Sequence, residues 1–245
     1  MVKYVYTLSS VGAMFERAFF SIRSLSQFID PKNIVVFFTP PRDNTETEYL
    51  RQLGVDLRLV ENTTDAFAAF DTEQHYGEKT WLTTIEDDTV VFLDCDTLIF
   101  GDIRDVIEGE FDFKARPGTS EVLQPGWRKL FDRFNEEYLE WMPNAGFLIF
   151  KNGIHREIGD KWRKYIQTDL NYRHRANHKE QYALALCVGN SKTEEMTTNE
   201  HVMLWNDEYP TSGVVYHIGN TIEDKLGKNS LTLKRDMLYR LRKMF

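Results

Sequence analysis

Asp94 and Asp96 are the residues in this sequence whose type and spacing most clearly point to chemistry. They are separated by Cys95 and walled by two apolar runs, Val90-Val91-Phe92-Leu93 before and Leu98-Ile99-Phe100 after. In extended backbone, residues i and i+2 project to the same side. Two carboxylates placed there repel each other unless a cation sits between them or one stays protonated. Oxygen donors of this kind suit a hard divalent ion, Mn²⁺ or Mg²⁺, with coordination positions left for phosphate oxygens. The plainer alternative is a strand that ends at Leu93 and runs into an Asp-rich turn, although turn aspartates are rarely enclosed by such apolar runs.

The elements around this pair follow from hydrophobic spacing. Residues 3–8 form a β-rich run closed by Ser9-Ser10, after which Met14, Phe15, Ala18, Phe19, Ile22, Leu25 and Phe28 recur at helical spacing until Asp30-Pro31. The all-apolar stretch 33–38 has the character of a strand buried on both faces. A short helix over 44–53 ends at Gly54, a third strand covers 55–60, and 76–85 is helical before the aspartate strand. The sequence β-α-β-α-β-α-β predicts an α/β fold with a mostly parallel central sheet and helices on both faces. Such sheets bind ligands at the carboxyl ends of their strands. Asp94 and Asp96 leave the fourth strand at that edge, and Thr7, Leu8, Ser9 and Ser10 leave the first there.

Downstream, 102–107 reads as a short helix, 111–115 as a strand and 116–126 as a loop with two prolines and two glycines. Trp127, Leu130, Phe131, Phe134, Tyr138 and Trp141 keep helical spacing, which predicts one core-facing helix. A strand over 144–150, helices over about 154–169 and 179–188, and a last strand over 213–217 complete the pattern. Asp87-Asp88 reads as a turn. His174 and His178 stand four apart in a basic stretch, which fits a solvated surface better than a metal site.

Composition bounds the rest. With 245 residues and 42% hydrophobic residues, the chain is large enough for one sizeable core. A net charge of −8 argues against nucleic acid as the main partner. Cys95 and Cys187 lack CxxC spacing and read as free thiols. No apolar run has membrane-spanning length, so a soluble cytoplasmic protein is the expectation. Residues 226–245 shift to basic charge. There Leu233, Met237, Leu238, Leu241, Met244 and Phe245 form an apolar face beside Lys234, Arg235, Arg240, Arg242 and Lys243. This predicts an amphipathic helix docked on a domain of residues 1–225, with peripheral membrane contact through 231–245 as the alternative.

Four segments in this order resemble the GT-A fold glycosyltransferases, in particular the glycogenin-like retaining enzymes that use nucleotide-diphospho-sugars. Phe92-Leu93-Asp94-Cys95-Asp96-Thr97 resembles their metal-binding DxD motif, and the 144–150 strand, opening Asn144-Ala145-Gly146, resembles the segment that lines the donor sugar. Glu180-Gln181 resembles the Asp-Gln pair opening a later helix, and His217-Ile218-Gly219-Asn220 the segment whose His completes the metal site. The resemblance spans about residues 3–225. Gly219 falls one place earlier than in that motif, the usual Lys-Pro-Trp is absent with Lys225 as its nearest substitute, and the acid of the pair is Glu.

The resemblance implies transfer of a sugar from a nucleotide-diphospho-sugar, UDP rather than GDP, to an acceptor hydroxyl with retention of configuration. It implies metal ligands Asp94, Asp96 and His217, catalytic roles for Glu180 and Gln181, and donor contacts from Asp94, Cys95, Asn144, Ala145, Gly146, Gly219 and Lys225; Thr7, Leu8 and Ser9, by their place at the carboxyl edge of the sheet, and Lys79, by its charge, join the expected donor contacts. The sequence leaves the acceptor open among a glycan, a lipid-linked sugar and a protein, and 116–126 and 172–178 are the segments in which to seek its contacts. Two other classes fit parts of the sequence. In one, a haloacid-dehalogenase-like phosphatase uses Asp94 as nucleophile; in the other, the chain is a sugar-nucleotide-binding module without turnover.

Overall fold

Alternate side chains of β1 (Val2–Leu8) enter two different apolar cores, Val5 on one face and Tyr4, Tyr6 and Leu8 on the other. The same division holds along β2 (Ile34–Phe38), all five of whose residues are buried, and along β4 (Thr89–Leu93). Strands buried on both sides need no polar alternation, hence the runs Ile-Val-Val-Phe-Phe and Val-Val-Phe-Leu. The computed structural model describes residues 1–63, 76–118, 125–170, 172, 178–205 and 212–219.

Among these residues the strands form two sheets. The larger has seven strands in the order β3-β2-β1-β4-β7-β6-β8, with β3 at Asp56–Leu59, β6 at Phe113–Pro117, β7 at Pro143–Phe150 and β8 at Thr193–Glu195. The pairs β1–β2, β2–β3, β1–β4 and β6–β8 are parallel, whereas β7 runs antiparallel to both β4 and β6. The smaller sheet is β5 (Thr97–Ile99), β10 (Val215–His217) and β9 (His201–Met203).

One face of the large sheet is covered by α1 (Met14–Leu25), α2 (Asn44–Gln52) and α3 (Arg104–Ile107) through Ala18, Ile22, Leu25, Leu50 and Val106. Asp43 starts α2 by accepting the Thr45 and Glu46 amides at 2.8 and 3.1 Å. The other face carries a 3₁₀ helix (Tyr76–Thr84), α4 (Trp127–Phe134), α5 (Ile154–Gln167) and α6 (Lys179–Val188). The α/β sheet with helices on both faces is thus as the sequence pattern implies. No helix among the described residues is long and apolar enough to cross a membrane.

Two expectations change. The helix read from Trp127 to Trp141 stops at Phe134, because Asn135 adopts a left-handed conformation with φ 53° and closes it. Tyr138 and Trp141 still cover the same core from the following irregular segment, Tyr138 edge-on to Phe131 and Trp141 stacked on Phe113. The strand carrying the aspartates ends at Leu93, and Asp94 to Asp96 form a turn in which the Thr97 amide and hydroxyl bond the Asp94 carbonyl at 3.2 and 2.8 Å. Lys225, Asn220, His174 and the basic helix expected over 226–245 lie outside the described residues.

Candidate active site

The turn after β4 presents its two carboxylates to the last strand. β10 pairs antiparallel with β5, placing His217 opposite Thr97, and the Ile218 amide bonds the Asp96 carbonyl at 2.8 Å. His217 Nε2 thereby lies 3.1 Å from Asp96 Oδ1 and 3.9 Å from Asp94 Oδ2. One potential ligand atom from each of Asp94, Asp96 and His217 falls within 4.8 Å of the others. The turn, rather than strand alternation, brings the carboxylates together.

β7 supplies the wall of this cluster. The Asp94 amide donates to the Gly146 carbonyl at 2.8 Å, and Asn144 Oδ1 accepts the Gly146 amide at 3.0 Å. A Cβ on Gly146 would overlap the His217 ring, so this position has to be glycine for the imidazole to reach the carboxylates. At the end of β1, the Thr7 carbonyl accepts Cys95 Sγ at 3.3 Å, the Leu8 carbonyl accepts the Thr39 amide and hydroxyl, and the Ser9 amide meets Met14 Sδ. Gly219, with φ 68°, turns the chain just beyond His217.

Lys79, on the 3₁₀ helix, connects the metal-ligand candidates to α6. Its Nζ lies 3.0 Å from Asp94 Oδ1, 3.1 Å from the Ala145 carbonyl and 3.6 Å from Glu180 Oε1. Glu180 and Gln181 occupy the first turn of α6 and are both buried. Neither Glu180 carboxylate oxygen has a hydrogen-bond partner among the described residues. A buried carboxylate left in this way is costly and suits a site that a polar ligand completes.

The electrostatics follow from this arrangement. Burial opposes ionisation of Asp96, but the charge and hydrogen bond of His217 outweigh it and hold the carboxyl at about 2. Burial likewise opposes the imidazolium, yet Asp96 and Asp94 carry the His217 pKa above its ordinary value. At Asp94, burial together with the negative Asp96 outweighs Lys79, and the pKa rises. Burial pushes Glu180 up to about 7 against the Lys79 charge. Burial and the flanking aspartates push the Cys95 thiol well above its usual range. Two carboxylates and an imidazole, all aimed at one point, fit a divalent ion that accepts oxygen and nitrogen donors.

Two residues absent from the sequence reading join the cluster. The Trp205 ring stands edge-on to His217 with centroids 4.7 Å apart, and His201 Nε2 lies 3.4 Å from His217 Nδ1. His201 is reached only through the pairing of β9 with β10, which no local pattern announces. Of the regions expected to meet an acceptor, Tyr172 packs on Trp127 and Tyr182, and His178 precedes α6.

No protein-family profile matches the chain, and no curated protein sequence matches it. Solved structures do. The galactosyltransferase LgtC, in a complex with donor and acceptor sugar analogs, superposes with a TM-score of 0.69 at 12% identity, covering 96% of this chain and 94% of LgtC. The glycosyltransferase GlyE of Streptococcus pneumoniae TIGR4 gives 0.63 at 13% identity, over 99% of this chain and 63% of GlyE. Mouse xyloside xylosyltransferase 1 gives 0.53 at 11% identity, over 90% and 98%. At these identities the match speaks to architecture: the chain has the GT-A fold of glycosyltransferases.

Proposed function

We propose that this protein is a metal-dependent glycosyltransferase that moves a sugar from a nucleotide-diphospho-sugar to a hydroxyl of an acceptor. The carrying observation is the convergence of Asp94, Asp96 and His217 within 4.8 Å at the carboxyl edge of the sheet, beside the buried Lys79–Glu180 pair. Asp94, Asp96 and His217 hold a divalent cation, Mn²⁺ or Mg²⁺. When bound, the cation supplies positive charge opposite the diphosphate that departs from the anomeric carbon.

The chain's own residues do the remaining work. Lys79 holds Asp94 and Glu180 in place and adds positive charge where phosphate charge develops. Asn144 spends its carbonyl oxygen on the Gly146 amide, which leaves its amide nitrogen to face a sugar hydroxyl. Gln181, beside Glu180 at the start of α6, hydrogen-bonds the donor sugar. Glu180 places a carboxylate near the anomeric carbon, where positive charge grows as the glycosidic bond lengthens.

UDP as carrier, retention of configuration and a glycogenin-like kinship rest on the motif order Asp94-Cys95-Asp96, Asn144-Ala145-Gly146, Glu180-Gln181 and His217. A glycan acceptor is supported by the architecture shared with LgtC, which was solved with donor and acceptor sugar analogs. The phosphatase reading of Asp94 loses support from the same architecture, since three strands precede β4 in the chain and β4 pairs with an antiparallel strand.

Release of free sugar and nucleotide from UDP-, GDP- and dTDP-sugars, followed with Mn²⁺ and with a chelator, tests the proposal. Turnover of a UDP-sugar that disappears on chelation is the expected result. Binding without turnover for every donor and acceptor would leave a sugar-nucleotide-binding module instead. Formation of an aspartyl-phosphate at Asp94 would favour the phosphatase.

A further inference from the structure

Only one nitrogen of the His217 ring faces the carboxylates. Nε2 lies 3.1 Å from Asp96 Oδ1, whereas Nδ1 points away and lies 3.4 Å from Nε2 of His201. The two rings are nearly parallel, with centroids 5.5 Å apart and planes at 12°. Strand register explains their meeting. β9 and β10 run parallel with Val215 opposite His201 and His217 opposite Met203, so both histidines project from the same face of the small sheet.

His201 is fully buried, with 0% exposure. The edge of Phe147 packs against its ring at 5.6 Å, and Arg116 Nη1 holds its carbonyl at 2.7 Å. Its remaining nitrogen, Nδ1, has no hydrogen-bond partner among the described residues. As core filling this is a poor choice, because a phenylalanine or leucine would occupy the space without a half-satisfied polar ring.

A neutral His217 offers a lone pair on Nε2 only when its proton sits on Nδ1, and the nitrogen 3.4 Å from that Nδ1 is Nε2 of His201. We infer that His201 is a positioning residue whose Nε2 accepts the Nδ1–H of His217, fixing the tautomer and ring orientation in which His217 Nε2 addresses the cation between Asp94 and Asp96. The usual partner of a metal-bound histidine is a carboxylate, a backbone carbonyl or water. Here a second imidazole takes that place, rigidly held by Phe147 and Arg116. The assignment rests on the proposed metal site and concerns its outer support.

Two measurements test it. In protein with ¹⁵N-labelled histidine, loaded with diamagnetic Mg²⁺ and UDP, ring correlations are expected to show the proton on Nδ1 of both His217 and His201. A proton on His217 Nε2, or on His201 Nε2, in the metal-loaded state would overturn the inference. Mn²⁺ affinity, followed by the free-ion electron paramagnetic resonance signal, is expected to fall about 10- to 100-fold in His201→Phe, which keeps the stacked ring but removes the acceptor. His201→Gln, whose side-chain carbonyl can accept, is expected to recover most of that loss. Equal Mn²⁺ binding by wild type and a folded His201→Phe would overturn this inference alone. Absence of Mn²⁺ binding by wild type would remove the metal site as well. Should His201→Phe fail to fold, the ring spectra of the wild type still decide.

Discussion

Among the described residues, Lys79 and Lys114 are buried to nearly the same depth, and their surroundings differ in a telling way. Lys114, on β6, places its Nζ 2.7 Å from Glu194 and 2.8 Å from Glu200, and Glu200 also accepts the Thr197 amide. Burial disfavours its charge, but the two carboxylates more than offset this and its pKa rises. Lys79 has Asp94 at 3.0 Å and Glu180 at 3.6 Å, but neither Glu180 carboxylate oxygen has a hydrogen-bond partner among the described residues, and Asp94 also faces Asp96 and His217. The first network is complete within the protein. In the second, one potential ligand atom from each of Asp94, Asp96 and His217 lies within 4.8 Å of the others, and the Glu180 carboxylate oxygens have no hydrogen-bond partner among the described residues. That difference separates an ion pair that staples strands β6 and β8 from one that lies within the proposed donor site.

The largest effect that separates the two regions is expected from Asp94→Asn, which removes one negative ligand while keeping the side chain's shape. Donor turnover is expected to fall by at least about 10³-fold, with a melting temperature close to wild type. Steady-state rates with UDP-sugars and a thermal melt check this; retained turnover would place the chemistry elsewhere. Next in size is Gly146→Ala. The added methyl displaces the His217 ring, so Mn²⁺ affinity is expected to drop by at least about tenfold while the sheet stays intact.

Lys114→Met provides the converse. It leaves Glu200 partly buried and unpaired, and is expected to cost about 2 kcal/mol of stability, since Glu194 is half-exposed and solvent screens it. Its Mn²⁺ affinity and turnover are expected to match wild type. A loss of turnover in a folded Lys114→Met would undo the contrast drawn between the lysines.

The sequence carried much of this, for identifiable reasons. Ile34 to Phe38 could only be a strand buried on both faces, and the order of strands and helices implied the parallel sheet. Asp94, Asp96 and His217 were legible as a set because motif order reports what the sheet brings together. Turn geometry was not legible, since the apolar residues flanking Asp94 and Asp96 look the same whether the pair lies in a strand or a turn. Nor was the end of α4, because Tyr138 and Trp141 keep helical spacing while packing from an irregular segment. His201 depended on a three-residue strand whose partner lies fourteen positions on, and only the register of β9 with β10 exposes it.

A smaller effect sharpens the description of the open network. The Glu180 carboxyl, carried by burial from 4.5 to about 7, keeps its proton in the folded state over a range where the unfolded chain has lost it. The folded state therefore binds more protons than the unfolded one between those values, and the contribution of Glu180 to stability falls as pH rises from about 4.5 to about 7. Glu180→Gln lacks this titration. Its melting temperature relative to wild type is expected to be higher at pH 8 than at pH 5, and an equal difference at both would contradict the burial of an ionisable carboxyl there.

In the proposed function, Asp94, Asp96 and His217 grip a cation that in turn grips a pyrophosphate. Calorimetric titration of UDP into the protein, with Mn²⁺ and with a chelator, tests this most directly. The expected result is binding with Mn²⁺ that weakens at least about tenfold on chelation, and an Asp96→Asn variant that shows the weak binding under both conditions. UDP affinity indifferent to Mn²⁺ in the wild-type protein would contradict the account.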